Sequence, residues 1–280
     1  MRDRLSGALA LPGLGWLVLF FLVPLVFILI VSLGDHDRFG RVLLDSPSLD
    51  NYGAALDPVY LRPAWNGLRY AAATTILCLL IGYPIAYWIS RYGGTHKTLL
   101  LVLVMLPFWT SYLIRTYAWI TILGDNGVVN SVLQAIGLTR EPIILLNTDL
   151  AVVLGMTYGF VPFAILPLFV SIDRLDDALV AAARDLYASG RAAFRHVTLP
   201  LTMPGIIAAA ILTFIPAVGD YVTPDLLGGA QTTTIAKIIQ TEFLGARDWP
   251  SGAALGFLLM AATILGSLAV IRTLRREVLG

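Results

Sequence analysis

Between two long apolar runs the chain reads Leu179-Val-Ala-Ala-Ala-Arg-Asp-Leu-Tyr-Ala-Ser-Gly-Arg-Ala-Ala-Phe-Arg-His-Val-Thr-Leu-Pro200. Its first part consists of helix formers with small side chains. At helical spacing Leu179, Ala182, Ala183 and Leu186 share one side, while Ala181, Asp185 and Ala188 share another. Small side chains let a partner surface come close. Ser189-Gly190 marks a break, and a second short helix is expected from Arg191 to His196, ending where Leu199-Pro200 leads into the next apolar run. What flanks this loop decides the fold.

The flanks are lipid-soluble. Of 280 residues 58% are hydrophobic and 13% charged, against roughly 45–50% and 25% in soluble domains. A helix crossing the hydrocarbon needs about 20 mostly apolar residues, and about six runs approach this: 14–33, 70–90, 98–119, 150–170, 204–222 and 253–271. The chain therefore reads as a single all-α integral-membrane domain over 1–280, with its core region at about 67–271. The first run follows Arg2 and Arg4, yet it exceeds a signal-peptide core of roughly 7–15 residues, and no small-residue cleavage site follows it. It reads as a retained span. The fifth run is the least regular, because Pro216, Gly219 and Asp220 interrupt its outer end. Broken helices at membrane depth are tolerated beside protein or a water-lined cavity, which places a pathway near that break.

Lys and Arg set the orientation. With both termini in the cytoplasm, the inner segments hold eleven (Arg2, Arg4, Arg91, Lys97, Arg174, Arg184, Arg191, Arg195, Arg272, Arg275, Arg276) and the outer loops seven (Arg38, Arg41, Arg62, Arg69, Arg140, Lys237, Arg247), in line with the positive-inside rule. Acidic residues such as Asp35, Asp50, Asp125, Asp149, Asp220, Asp225, Glu242 and Asp248 gather at the outer face, where they would concentrate cations.

Other chemistries are absent from the sequence. A net charge of +1 and no basic run exclude a nucleic-acid partner. A single Cys78 makes neither an internal disulfide nor a cysteine metal cluster. His36, His96 and His196 are scattered over loops, so no histidine metal site is expected. No catalytic cluster of the kind a membrane enzyme needs is present. The inner segments hold no phosphate-binding loop and are too short for an ATPase, so a nucleotide-driven process needs another chain.

The quoted loop resembles the EAA loop of ABC importer permeases, whose pattern is Glu-Ala-Ala, three residues, Gly, nine residues, Ile, one residue, Leu-Pro. Ala182 and Ala183 match the alanines, Val197 stands for Ile, and Leu199-Pro200 match outright. Ala181 replaces the Glu and Tyr187 the Gly. The loop lies between the fourth and fifth runs, where the family carries it. The resemblance implies the ABC importer permease (MetI-like) fold and a coupling helix docked on a cytoplasmic ATPase through Ala181, Ala182, Ala183, Arg184, Asp185, Leu186, Tyr187, Ala188, Ser189 and Gly190. A tyrosine is penalised in the left-handed conformation of the family glycine. The turn is expected to move to Gly190 or to take another geometry.

Leu106-Pro-Phe-Trp-Thr-Ser-Tyr-Leu-Ile-Arg-Thr-Tyr-Ala-Trp119, Gly82-Tyr-Pro-Ile-Ala-Tyr87 and Phe214-Ile-Pro-Ala-Val-Gly-Asp-Tyr-Val-Thr-Pro-Asp-Leu-Leu-Gly-Gly229 are similar to the spermidine/putrescine class of these permeases. That similarity implies a bacterial inner-membrane location, a second related permease, two ATPase copies that bind ATP and Mg, and an extracytoplasmic substrate-binding protein. This chain itself would carry no cofactor and no catalytic residue. A polyamine needs carboxylates for its ammonium groups and aromatic faces worth roughly 0.5–2 kcal/mol each. Trp109, Tyr112, Arg115, Asp220, Tyr221 and Asp225 are the candidate pathway residues.

Each has a plainer reading. Trp109 and Tyr112 also suit interfacial or packing positions, Asp220 also suits an intramembrane pair with Arg115, and Asp225 also suits a solvated outer loop. Related permeases serve ferric ion, thiamine, phosphonate or opine-like solutes. A secondary transporter would work without an ATPase and would usually carry internal repeats, of which none is obvious here.

Overall fold

A computed structural model describes residues 12–37 and 40–279, with side chains to 268 and at Arg272. Arg2, Arg4 and Arg38 lie outside the described residues, as do the side chains of Arg275 and Arg276. Among the described residues four helices are long and apolar enough to cross a membrane: α1 (Pro12–Ser32), α2 (Pro58–Tyr92), α6 (Asp149–Asp173) and the Trp249–Leu268 part of α12 (Trp249–Leu279). Two bent pairs bring the number to six if each is one broken span. Gly94–Trp109, which contains α3 (Lys97–Met105), meets Tyr112–Ala135, which contains α4 (Tyr112–Leu123) and α5 (Val128–Ala135), at 84°. Likewise α8 (Gly190–Leu201) meets α9 (Met203–Val218) at 63°. Between α6 and α8 stands α7 (Asp177–Asp185); α10 (Val222–Leu227) and α11 (Ile235–Thr241) follow α9.

The third run is thus not the continuous 98–119 helix expected from its hydropathy. It breaks at Thr110 and Ser111, whose ψ angles of 152° and 133° are extended. The physical cause sits at Pro107. Its carbonyl accepts from the Thr110 hydroxyl at 2.7 Å, the Thr110 amide at 3.3 Å and the Arg115 guanidinium at 3.0 Å, so this carbonyl at the break is satisfied by the protein itself. The fifth run breaks at its outer end as expected, with Gly219 ending α9. It also bends at Thr202, which the sequence did not signal.

Two compact units divide the chain. One comprises residues up to Leu61 with Ile238–Ala261. In it α1 exposes almost every side chain, only 6% of its apolar window being buried, as a helix solvated by lipid would. Asn51 donates to the Ser32 and Gly34 carbonyls at 3.1 and 2.7 Å and so satisfies the end of α1. A short antiparallel pair follows, β1 (Asp35–His36) against β2 (Val42–Leu43), and His36 lies 3.4 Å from Asp248. Burial first, and then the Asp248 charge, pushes the Glu242 carboxyl up from its ordinary value, against the pull of His36.

The other unit, Arg62–Lys237 with the residues from Ala262 on, holds the core. Helix α6 is its axis, with 61% of its apolar window buried. It packs most extensively against α9, and the close approach needs Gly205, where a Cβ would overlap the Ser171 side chain. Leu123, Ala151 and Leu227 form an inner cluster with Trp119, Ile122 and Leu146 around them. Fully buried Cys78 faces α6, its thiol 3.5 Å from the Thr157 carbonyl.

Candidate functional site

The break in the third span opens a cavity of about 400 Å³, lined by Phe108, Thr110, Tyr112, Arg115, Gly159, Phe160, Phe163, Pro216 and Asp220. Both helix breaks therefore contribute to one space. Its aromatic wall is self-supporting: Phe108 meets Phe163 edge-on with centroids 5.0 Å apart, and Phe160 lies 6.2 Å from Phe163.

Two charges line this cavity, and they do not pair with each other, contrary to one reading of the sequence. Asp220 accepts the Tyr112 hydroxyl proton at 2.5 Å and the amides of Val222 and Thr223 at 2.9 and 3.2 Å. The carboxylate thereby serves the free N–H groups that begin α10. With the Tyr112 proton committed, its oxygen accepts from the Thr223 hydroxyl at 2.6 Å. Arg115 instead lies among aromatic faces, its guanidinium carbon 5.3 Å from the Tyr112 ring centre, 5.8 Å from Phe108 and 5.9 Å from Tyr158. Dipoles satisfy the anion and π faces the cation, so neither charge needs the other.

The other candidates sit elsewhere. Trp109 is 75% exposed and Tyr221 40% exposed, and neither lines the cavity. Asp225 accepts from Lys237 at 3.0 Å and borders a separate polar hollow of about 330 Å³ with Gly228, Gly229 and Thr233. Among the described residues no group of three or more His, Cys, Asp or Glu is placed to hold a metal ion.

The polar loop is a helical pair, but its turn differs from the expectation. Asp176 caps α7 by accepting from the Ala178 amide at 2.9 Å. At the far end Ala188 N–H reaches the Ala183 carbonyl at 3.1 Å and Tyr187 N–H the Arg184 carbonyl at 3.0 Å. This is the six-to-one and five-to-two pattern of a Schellman turn, whose C′ position is left-handed and usually glycine. Tyr187 occupies it at φ 61°. The turn therefore stays at Tyr187 and does not move to Gly190, since two closing hydrogen bonds offset the penalty on its Cβ. Ser189 then caps α8, accepting from Ala192 N–H at 3.2 Å. That second helix runs past His196 and Pro200 to Leu201 through a π-turn at Phe194–Thr198, where the sequence suggested a shorter one.

The tip is bare. Leu179, Leu186 and Tyr187 are 47%, 81% and 99% exposed, and Ala181, Ala182, Arg184, Asp185, Ser189 and Gly190 are exposed too, with Ala183 and Ala188 half-buried. Small and apolar side chains thus face outward along a short capped helix.

Comparison with known proteins gives this geometry a family. Residues 7–277 match the sequence profile of the binding-protein-dependent transport system inner membrane component. The chain belongs to that family. It is 42% identical to the spermidine/putrescine transport system permease protein PotB of Haemophilus influenzae over 94% of this chain and 93% of that one. It is 41% identical to PotB of Escherichia coli over 86% and 87%, and 35% identical to the inner membrane ABC transporter permease protein YdcU of Escherichia coli over 78% and 76%. Among solved structures, a bacterial ABC transporter that imports the acidic polysaccharide alginate superposes with a TM-score of 0.74 at 19% identity, covering 98% of this chain and 96% of that one. The MetNI methionine ABC transporter in an inward-facing form superposes at 0.58 with 19% identity, covering 79% and 98%. The chain is thus an inner-membrane ABC importer permease with the fold expected from its sequence.

In this importer permease, sequence reasoning missed the phenylalanines and Tyr158. Phe160 and Phe163 lie in the fourth run and reach the cavity only through the packing of α6. It also missed a cluster of ion pairs at the root of the loop. Arg91 pairs with Asp177, and Lys97 with Asp173 at 2.6 Å. The Arg91–Asp177 partners lie 86 positions apart, so no local pattern announces them.

Proposed function

We propose that this permease forms one half of the translocation pathway of a polyamine importer for spermidine and putrescine, in the bacterial inner membrane with both termini cytoplasmic. The observation that carries the reading is 42% identity, over nearly the whole of both chains, to a permease named for those solutes. The cavity supports it chemically. A carboxylate offers about four acceptor positions, and Asp220 has three occupied, leaving one for an ammonium hydrogen beside three phenylalanine rings that suit methylene groups. Such a site is weak by construction, which suits a passage that must release what it admits.

The exposed helix α7 and its turn would dock on a cytoplasmic ATPase, two copies of which bind ATP and Mg and power the cycle. A second, related permease completes the pathway, and an extracytoplasmic binding protein delivers the substrate. A solved alginate transporter of this fold was captured with its periplasmic protein bound. Closure of the ATPases would draw the two loops together and open the path outward; hydrolysis would reset it.

The test is ATP turnover by the purified complex in nanodiscs with its binding protein, titrated with spermidine and putrescine. Stimulation by both is expected. Asp185→Arg, on the exposed face of α7, removes the stimulation without unfolding the spans. Stimulation only by ferric ion, thiamine or a phosphonate would replace the polyamine while keeping the importer. A preparation that retains no ATPase would favour a secondary transporter.

A further inference from the structure

The loop is tied to α2 at both of its ends. At its entrance, Arg91 in the last turn of α2 reaches two other helix termini with one guanidinium. One nitrogen pairs with Asp177, the first residue of α7, and another donates to the Ile172 carbonyl at the end of α6 and the Leu175 carbonyl just beyond it, both at 3.3 Å. The cation thus meets the negative end of α6 and the acidic start of α7, a placement that helix dipoles favour on both sides. Beside it, Lys97 and Ser90 hold Asp173 at 2.6 and 3.1 Å. At the exit, Tyr83 of α2 meets buried Thr202, the residue of the 63° bend, at 2.9 Å, and Phe194 stands edge-on to Tyr83 at 5.8 Å.

Covalent connection alone carries a movement of α7 into α6, through the three residues 174–176. Nothing covalent carries it into α2, whose nearest link is the long way round the chain. We infer that Arg91 is the positioning residue that couples movement of the docking loop to α2. A guanidinium suits this role, since its fork spans partners on two helices where an ammonium makes a point contact. The inference rests on the docking role proposed for α7, but not on the substrate.

The experiment compares wild type, R91Q, R91K and D177N in the complete complex with ATPases and binding protein, in proteoliposomes. It reads ATPase retained on purification, ATP turnover and polyamine uptake per ATP. R91Q is expected to keep the ATPase and its turnover while uptake per ATP falls roughly five-fold or more, the low end of inter-site coupling. R91K should recover part of that loss, and D177N, which leaves the carbonyl contacts intact, should lose less than R91Q. An unchanged ratio in R91Q overturns the inference, as does a fall in uptake and turnover together in proportion to lost ATPase. Should R91Q fail to assemble, D177N decides, because its position is exposed: a lowered ratio supports the joint and a wild-type ratio overturns it. If wild type moves no polyamine, the substrate reading fails separately. The joint is then read without substrate, by hydrogen exchange. ATP binding should change protection in both 86–92 and 179–186 in wild type, and in D177N the change in 86–92 should shrink while that in 179–186 stays; a change of wild-type size in 86–92 overturns the inference.

Discussion

The cavity and the root of the α7–α8 loop both gather charges within one unit, and they neutralise them by opposite means. At the loop root cations meet anions directly, Arg91 with Asp177 and Lys97 with Asp173, and the partners remain partly open to solvent. In the cavity Asp220 is only 9% exposed; it takes a hydroxyl and two amides while Arg115 takes aromatic faces and a carbonyl. The difference follows from the medium. Partly hydrated ions keep most of their solvation when they pair, whereas two ions drawn together at membrane depth lose it and regain it only with excellent geometry. Dipoles already fixed by the fold satisfy each ion separately and leave the space between them open.

Substitutions probe that contrast. Asp220→Ala should have the largest effect, about 3 kcal/mol of destabilisation, since it strands the Tyr112 hydroxyl and two amides in a buried setting. Thermal unfolding of the detergent-purified chain measures it, and an unshifted Tm would mean that the carboxylate does not hold the break. Arg115→Met keeps the length of the side chain but removes the cation from three rings, for a loss of roughly 1–2 kcal/mol. If Arg115 did pair with Asp220, the double substitution would recover much of the loss; with no direct pair, and Tyr112 the partner they share, the two losses should come close to adding. Tyr187→Gly should act in the other direction. Relief of the left-handed Cβ outweighs the entropy of glycine by roughly 0.5–1 kcal/mol, and the gain should appear as slower proteolysis at the loop. The smallest effect belongs to Lys97→Gln, under about 1 kcal/mol and fading as salt is raised. A salt-independent loss there would place the pair in the same class as the cavity charges.

Sequence reasoning located the spans and the loop because both are local patterns: apolar runs of sufficient length, and small residues at helical spacing between them. It placed the outer break of the fifth span for the same reason, Pro216 and Gly219 being breakers three positions apart. It missed the break of the third span although Pro107 stood in view. A proline inside a hydrophobic run is compatible with a kinked helix, and the outcome turned on whether Thr110 and Arg115 could serve the freed carbonyl. Tyr187 was misjudged because the penalty on its φ was weighed without the two hydrogen bonds that close the turn. Of the six pathway candidates, Tyr112, Arg115 and Asp220 line one cavity, while Trp109, Tyr221 and Asp225 do not. Residue type suggested all six. Only the direction of each helix after its break separates them.

The burial of Cys78 has a practical consequence for spectroscopy. Thiol-directed labels react with a thiolate in contact with water, and the only thiol of the chain is packed between two helices with no exposed surface. The unmodified protein is therefore its own unlabelled control. A cysteine introduced at the bare tip of the turn, by Tyr187→Cys, would be the single addressable position on this subunit, ready to carry a nitroxide or a fluorophore that reports on the approach of whatever docks there.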